Sequence, residues 1–112
     1  MYVHGLEIDD AILLAIRERR VLTFVYNKTG STPETRSVDP HVVYRTSTGK
    51  YCLHGVQTAG PSEHGSPIPG WRPFELSHLE GVVVGTQHFS PDERLNLANS
   101  SFYARVYASV ED

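Results

Sequence analysis

The sequence predicts a mainly β domain: a small, strongly bent antiparallel sheet or barrel with one helix ahead of it. Three observations carry this reading. The middle of the chain is a run of short segments that alternate apolar and polar residues and favour β-branched and aromatic side chains. Breakers separate them, among them Pro40, which reads as an extended corner rather than a mid-sheet position. The regular alternation of one helix per strand that a parallel sheet requires is missing.

Each element follows in order. In "LEIDDAILLAIRERR", Ile8, Ile12, Leu13, Ala15 and Ile16 recur near helical spacing, with Asp9 or Asp10 as N-cap and arginines in the last turn, so a helix is predicted over about 10–20. "VLTFVYN" is a strand with Leu22, Phe24 and Tyr26 on one face, ended by a loop holding Gly30 and Pro33. "TRSVDPHVVYRT" is extended on both sides of Pro40. "YCLHGVQT" is a strand with Tyr51, Leu53 and Gln57 on one face and Cys52, His54 and Val56 on the other. The twelve residues "AGPSEHGSPIPG" form a loop long enough to suggest function or mobility. After "WRPFEL", the segment "SHLEG" turns the chain into the strand "VVVGTQHF". Ser90, Pro91 and Glu93 form a capping-box pattern that predicts a short second helix. "FYARVYASV" alternates like a strand while Phe102, Val106 and Val110 recur at helical spacing, and it is read as a last strand.

At 112 residues, with 39% hydrophobic content, the chain suffices for one core, so a single domain over 1–112 is expected. No apolar run approaches the roughly 18 residues of a membrane span, and "MYVHGLEIDD" lacks the features of a signal peptide. A cytoplasmic protein without membrane contact is expected. The lone Cys52 excludes an internal disulfide. Net charge is −3, from 10 basic and 13 acidic residues, so any nucleic-acid site must be local. Eight of the ten basic residues are arginines, whose planar fork suits phosphate and carboxylate.

The succession "AIRERRVLTFVY", "RSVDP", "HVVY", "GKYCLHGVQ", "WRPFEL", "LEGV" and a closing Phe89 resembles the WYL domain from about residue 9 to 90. The run that names the family is represented by Tyr51-Cys52-Leu53, so the order and spacing of the elements carry the match. The resemblance implies an Sm-like, SH3-like antiparallel β-barrel over about 20–90, preceded by the helix. It implies a ligand-sensing module of bacterial regulators, associated with transcription regulation, DNA-damage responses and phage defence. Such modules are thought to bind negatively charged ligands, a nucleotide or single-stranded nucleic acid. Most relatives carry a helix-turn-helix, and a single helix ahead of the barrel leaves no recognition helix here.

The resemblance singles out Arg36 and Arg72 as ligand-binding, with Tyr26, Tyr51 and His54 on strands expected to neighbour them. His41, directly after Pro40, and Gln57, at the mouth of the long loop, complete the candidate set. A phosphate needs charge-assisted donors, and a base or sugar beside it needs an aromatic face or an imidazole. The bland alternative lays each arginine stem over the sheet with its head in water or on Glu34 or Asp39. Arg17, Arg19 and Arg20 match the negative end of their helix or extend a phosphate track.

No enzyme is expected. Cys52 and His54 neighbour each other on one strand face without a third orienting residue. The histidines at 4, 41, 54, 64, 78 and 88 show no metal-ligand spacing, and Gly60, Gly65 and Gly70 match no phosphate-loop fingerprint. No metal and no cofactor are expected. Two functions remain. One is the anion-sensing regulator, acting with a regulatory protein partner. The other is a protein–protein interaction or assembly module without a small ligand, and residues 100–110 are expected to close the barrel or pair with a second copy as a homodimer. Arginines converging on one concave patch favour the first.

Overall fold

The structure, a computed structural model, describes residues 1–3, 5–30, 32–62 and 65–111; His4 and His64 lie outside the described residues. In chain order the elements are β1 (Tyr2–Val3), β2 (Leu6–Glu7), α1 (Asp10–Glu18), β3 (Arg20–Tyr26), β4 (Glu34–Arg45), β5 (Tyr51–Ala59), β6 (Gly70–Glu75), a turn of 3-10 helix (Leu76–His78), β7 (Leu79–His88) and β8 (Arg105–Ser109). All pairing is antiparallel. β1 pairs with β2, and the main sheet runs β6-β5-β4-β3-β7 with β8 joined to β4.

α1 starts where the Asp9 carboxylate accepts from the Ala11 N–H at 2.8 Å, and it buries Ile12, Ala15 and Ile16. It ends at Arg19, whose left-handed backbone (φ 54°) turns the chain directly into β3. That conformation costs a residue with a β-carbon roughly 1–2 kcal/mol, and the Arg19 guanidinium, donating to the Val110 carbonyl at 3.0 Å, holds it. Arg20 likewise donates to the Gly85 carbonyl at 2.7 Å and to Glu18 at 3.0 Å. Both arginines therefore serve the fold. Leu22, Phe24 and Tyr26 are buried on one face of β3, as their alternation predicts.

Pro40 is not a corner between strands but sits inside β4. The reason lies in the pairing along one edge of that strand. β3 takes Glu34–Val38 and β8 takes Val42–Arg45, so Pro40 falls in the gap and no partner needs its missing N–H. On the other edge a register shift opposite β5 follows Pro40. Gly55 makes the close approach there, since a β-carbon on it would lie 2.3 Å from the Asp39 carbonyl oxygen.

A further expectation is corrected. The second helix after Ser90 does not form, and this stretch is a series of turns. The Asp92 carboxylate takes the Arg94 N–H at 2.9 Å and its guanidinium at 2.9 and 2.8 Å, while the Asp92 N–H donates to His41 Nε2 at 2.8 Å. Asn96 takes the Ala98 N–H at 3.2 Å, so local side-chain bonds replace helical ones. The last strand forms as expected, and β8 pairs with β4 within the chain.

The barrel is not closed by backbone pairing either: β6 and β7 are the ends of an open path, and no ladder joins them among the described residues. Pro73 denies β6 one donor, and the Glu75 N–H instead donates to the Tyr26 hydroxyl at 3.2 Å. The sheet thus curls until β6 meets the end of β3, with a side chain spanning the seam. Phe24, Tyr26 and Phe74 pack edge to face beneath it, at centroid separations of 5.2 to 6.4 Å. No helix among the described residues is long and apolar enough to cross a membrane.

Candidate functional site

The open seam carries a cleft of about 310 Å³ lined by Tyr26, Lys28, Arg36, Ser66, Arg72, Pro73 and Phe74. Strand alternation builds it. Arg36 stands opposite Phe24 in the β3–β4 register and shares its face with Val38, while Arg72 and Phe74 share a face of β6, two residues apart. None of the described lining residues is acidic.

Arg36 is the unusual residue. It is only 6% exposed, its guanidinium carbon lies 5.0 Å from the Tyr26 ring centroid and 6.0 Å from that of Phe74, and its Nε makes no hydrogen bond. The bland partners Glu34 and Asp39 are not engaged; among the described residues Arg36 has no ion pair. Two aromatic faces give a desolvated cation part of what it loses on leaving water, and a buried charge without a counter-ion remains costly.

Among the described residues, Arg72 is held by neutral groups alone. Its Nη2 donates to the Pro67 carbonyl at 2.8 Å and its Nη1 lies 3.4 Å from Gln57 Oε1. Gln57, fully buried, anchors the loop with its amide nitrogen, which donates to Pro61 at 2.8 Å and Ala59 at 3.3 Å. A carbonyl, an amide and a packed loop thus aim the guanidinium, whose five N–H donors exceed the acceptors offered. Gly70 leaves the room, since a β-carbon there would lie 3.1 Å from the Arg72 guanidinium carbon and 2.7 Å from the Pro67 oxygen.

The expected set divides. Arg36, Arg72 and Tyr26 line the cleft and Gln57 supports it from behind. Tyr51 does not take part. It sits at the start of β5, six residues from Gln57, and stacks with Tyr107 at 6.0 Å. His54 points from the opposite face of β5 and packs 4.3 Å from Trp71, with Nδ1 3.0 Å from the Tyr103 hydroxyl. Burial, with a contribution from nearby His41, pulls its pKa down to about 4, so it is neutral at pH 7. His41 is fully buried; its Nδ1 faces the Asp39 carbonyl at 2.8 Å and its Nε2 accepts from Asp92, an arrangement that fixes the proton on Nδ1. Burial lowers its pKa too.

Lys28, Ser66, Pro73 and Phe74 escaped the sequence reading. The signal for one of them was present: Phe74 follows Arg72 at the spacing of two that keeps strand residues on one face. Beyond Pro73 the cleft adjoins a second compartment, also about 310 Å³, which shares Tyr26, Lys28 and Pro73 and reaches Tyr44, Thr46, Lys50, Cys52, Glu75, His78 and Phe102. Burial pushes the Cys52 thiol up, away from the thiolate a nucleophile requires.

The profile of the WYL domain matches residues 7–58, a span that holds Tyr26, Arg36 and Gln57. Among solved structures, the chain is similar to "Proteasome accessory factor B/C (PafBC) of Arthrobacter aurescens". The TM-score is 0.64 at 23% identity, covering 80% of this chain and 13% of that one. At that identity the likeness speaks for the fold alone. No curated protein matches the chain.

Proposed function

The chain belongs to the WYL domain family through residues 7–58, and from that premise we propose a ligand-sensing regulatory module whose Arg36–Arg72 cleft receives the phosphate of a nucleotide or of single-stranded nucleic acid. One observation carries the reading: a buried guanidinium without a counter-ion among the described residues lines a cleft beside a second guanidinium that only neutral groups hold. A fold keeps an unpaired buried cation at a cost in stability, and an arriving anion offsets that cost. Phosphate fits because two planar forks can each donate two parallel hydrogen bonds to its oxygens. The convergence of these arginines favours a ligand site over the assembly module.

We read the domain as one that binds rather than catalyses, its output residing in a regulatory partner protein or a further domain. The sheet is, on this reading, an Sm-like or SH3-like barrel left open at the ligand site. Titration of fluorescent nucleotides and short single-stranded oligonucleotides at two salt concentrations tests it. Arg72→Ala should weaken binding by about 1.5–3 kcal/mol without unfolding the domain, Arg72→Lys should recover only part, and added salt should weaken binding further. Absence of anion binding by the wild type sinks the proposal.

A further inference from the structure

The compartment beyond Pro73 differs chemically from the cleft it adjoins. Unlike the cleft, it has an acidic wall: Glu75 lies 3.3 Å from Lys50 and 2.8 Å from His78 Nε2. A second phosphate would meet a carboxylate there. What the compartment offers instead is hydrogen bonding and aromatic surface. Phe102 is 38% exposed at its wall, and Tyr44, fully buried, contributes a hydroxyl that meets no oxygen or nitrogen partner among the described residues and has only the weakly accepting Cys52 sulfur beside it. The Thr46 hydroxyl and the Glu75 carboxylate add polar contacts around the same space.

A buried phenol that trades water for a thiol alone recovers little of what it loses. Tyr44 is fixed by its neighbours rather than free to turn outward, since its ring packs 4.7 Å from Tyr103 and 5.5 Å from Phe102. Burial also pushes its pKa up, so the hydroxyl stays protonated and can donate. A flat, uncharged ring bearing hydrogen-bonding edges would stack on Phe102 and approach both the Tyr44 hydroxyl and the Glu75 carboxylate. A volume of about 310 Å³ suits one such ring and its sugar.

We infer that this compartment is a base subsite: it receives the nucleobase of the ligand whose phosphate occupies the Arg36–Arg72 cleft. The inference rests on the phosphate reading of that cleft and deepens it, making the ligand bipartite across Pro73. Tyr44 and Phe102 then decide affinity for base-bearing ligands, while the two arginines decide affinity for any phosphate.

The test is isothermal titration of the wild type, Tyr44→Phe and Phe102→Leu with ribose 5-phosphate and with the four nucleoside 5′-monophosphates. The wild type should bind at least one monophosphate about tenfold tighter than ribose 5-phosphate, the scale of a hydrogen bond with partial stacking. Tyr44→Phe should remove most of that advantage and leave ribose 5-phosphate affinity within about twofold, because the hydroxyl it deletes has only the weak Cys52 thiol as a partner in the unliganded fold. Phe102→Leu, at a partly exposed side chain, should act in the same direction. Equal affinity for base-bearing and base-free phosphates, or equal losses for both in Tyr44→Phe, overturns the base subsite while leaving the phosphate cleft standing. Failure of every phosphate to bind overturns the cleft reading, and the base subsite with it.

Discussion

Acidification should destabilise this fold through one identifiable imidazole. His54 is 5% exposed and its pKa falls to about 4, chiefly because burial penalises the charged ring. An unfolded histidine titrates near 6.5, so on acidification the unfolded chain takes up the proton first. Stability from this group is therefore complete above pH 6.5, declines as pH falls towards 4, and levels off below. The full loss is the shift from 6.5 to about 4, at 1.36 kcal/mol per unit, or about 3 kcal/mol. About 2 kcal/mol of it is gone by pH 5. Urea denaturation at pH 7 and pH 5 measures this directly. In His54→Gln the side chain still offers the Tyr103 hydroxyl an acceptor but does not titrate, so most of the difference should disappear; what remains reports His41, which burial also lowers. An imidazole proton resonance, absent in His54→Gln, should titrate near pH 4. Titration near 6.5, or an unchanged pH dependence in the variant, refutes the argument.

Two substitutions separate stability from binding. Arg36→Met should raise stability by about 1–4 kcal/mol, since it replaces a buried cation that has no counter-ion among the described residues with an apolar side chain of similar length, and should abolish anion binding; a destabilised Arg36→Met that still binds oligonucleotide contradicts the site. Gly70→Ala should push the Pro67 carbonyl away and displace the Arg72 fork, costing about 1–3 kcal/mol of stability and weakening binding, with unchanged affinity as the contrary result.

The parts of the fold visible in the sequence were those that local pattern decides. Spacing placed Ile12, Ala15 and Ile16 on the buried side of α1 and Leu22, Phe24 and Tyr26 on one face of β3. The second helix failed because Asp92 and Asn96 capture the N–H groups two residues on, while the His41 imidazole that takes the Asp92 N–H lies 51 residues away, where no local pattern reaches. The site was legible in part for a similar reason. Family resemblance pointed to Arg36 and Arg72, and both line the cleft. Alternation already set His54 and Gln57 on opposite faces of β5, but only the curl of the sheet decides which face meets the seam. Tyr44 drew no attention in the sequence because a buried tyrosine differs from any core aromatic only in whether its hydroxyl finds a partner.

The seam between β6 and β3 has a mechanical consequence. A ladder of backbone bonds resists parting because its rungs must yield together, whereas no ladder crosses this margin among the described residues, and the Glu75 N–H reaches the Tyr26 hydroxyl across it. Arg36 belongs to β4 and Arg72 to β6, so a phosphate gripped by both would clasp the curled sheet like a buckle and stiffen the platform on which α1 rests. Occupancy would then be legible as rigidity. Amide hydrogen exchange along β6 should slow when a nucleotide is added, and exchange that is equal with and without bound ligand would show that the clasp transmits nothing.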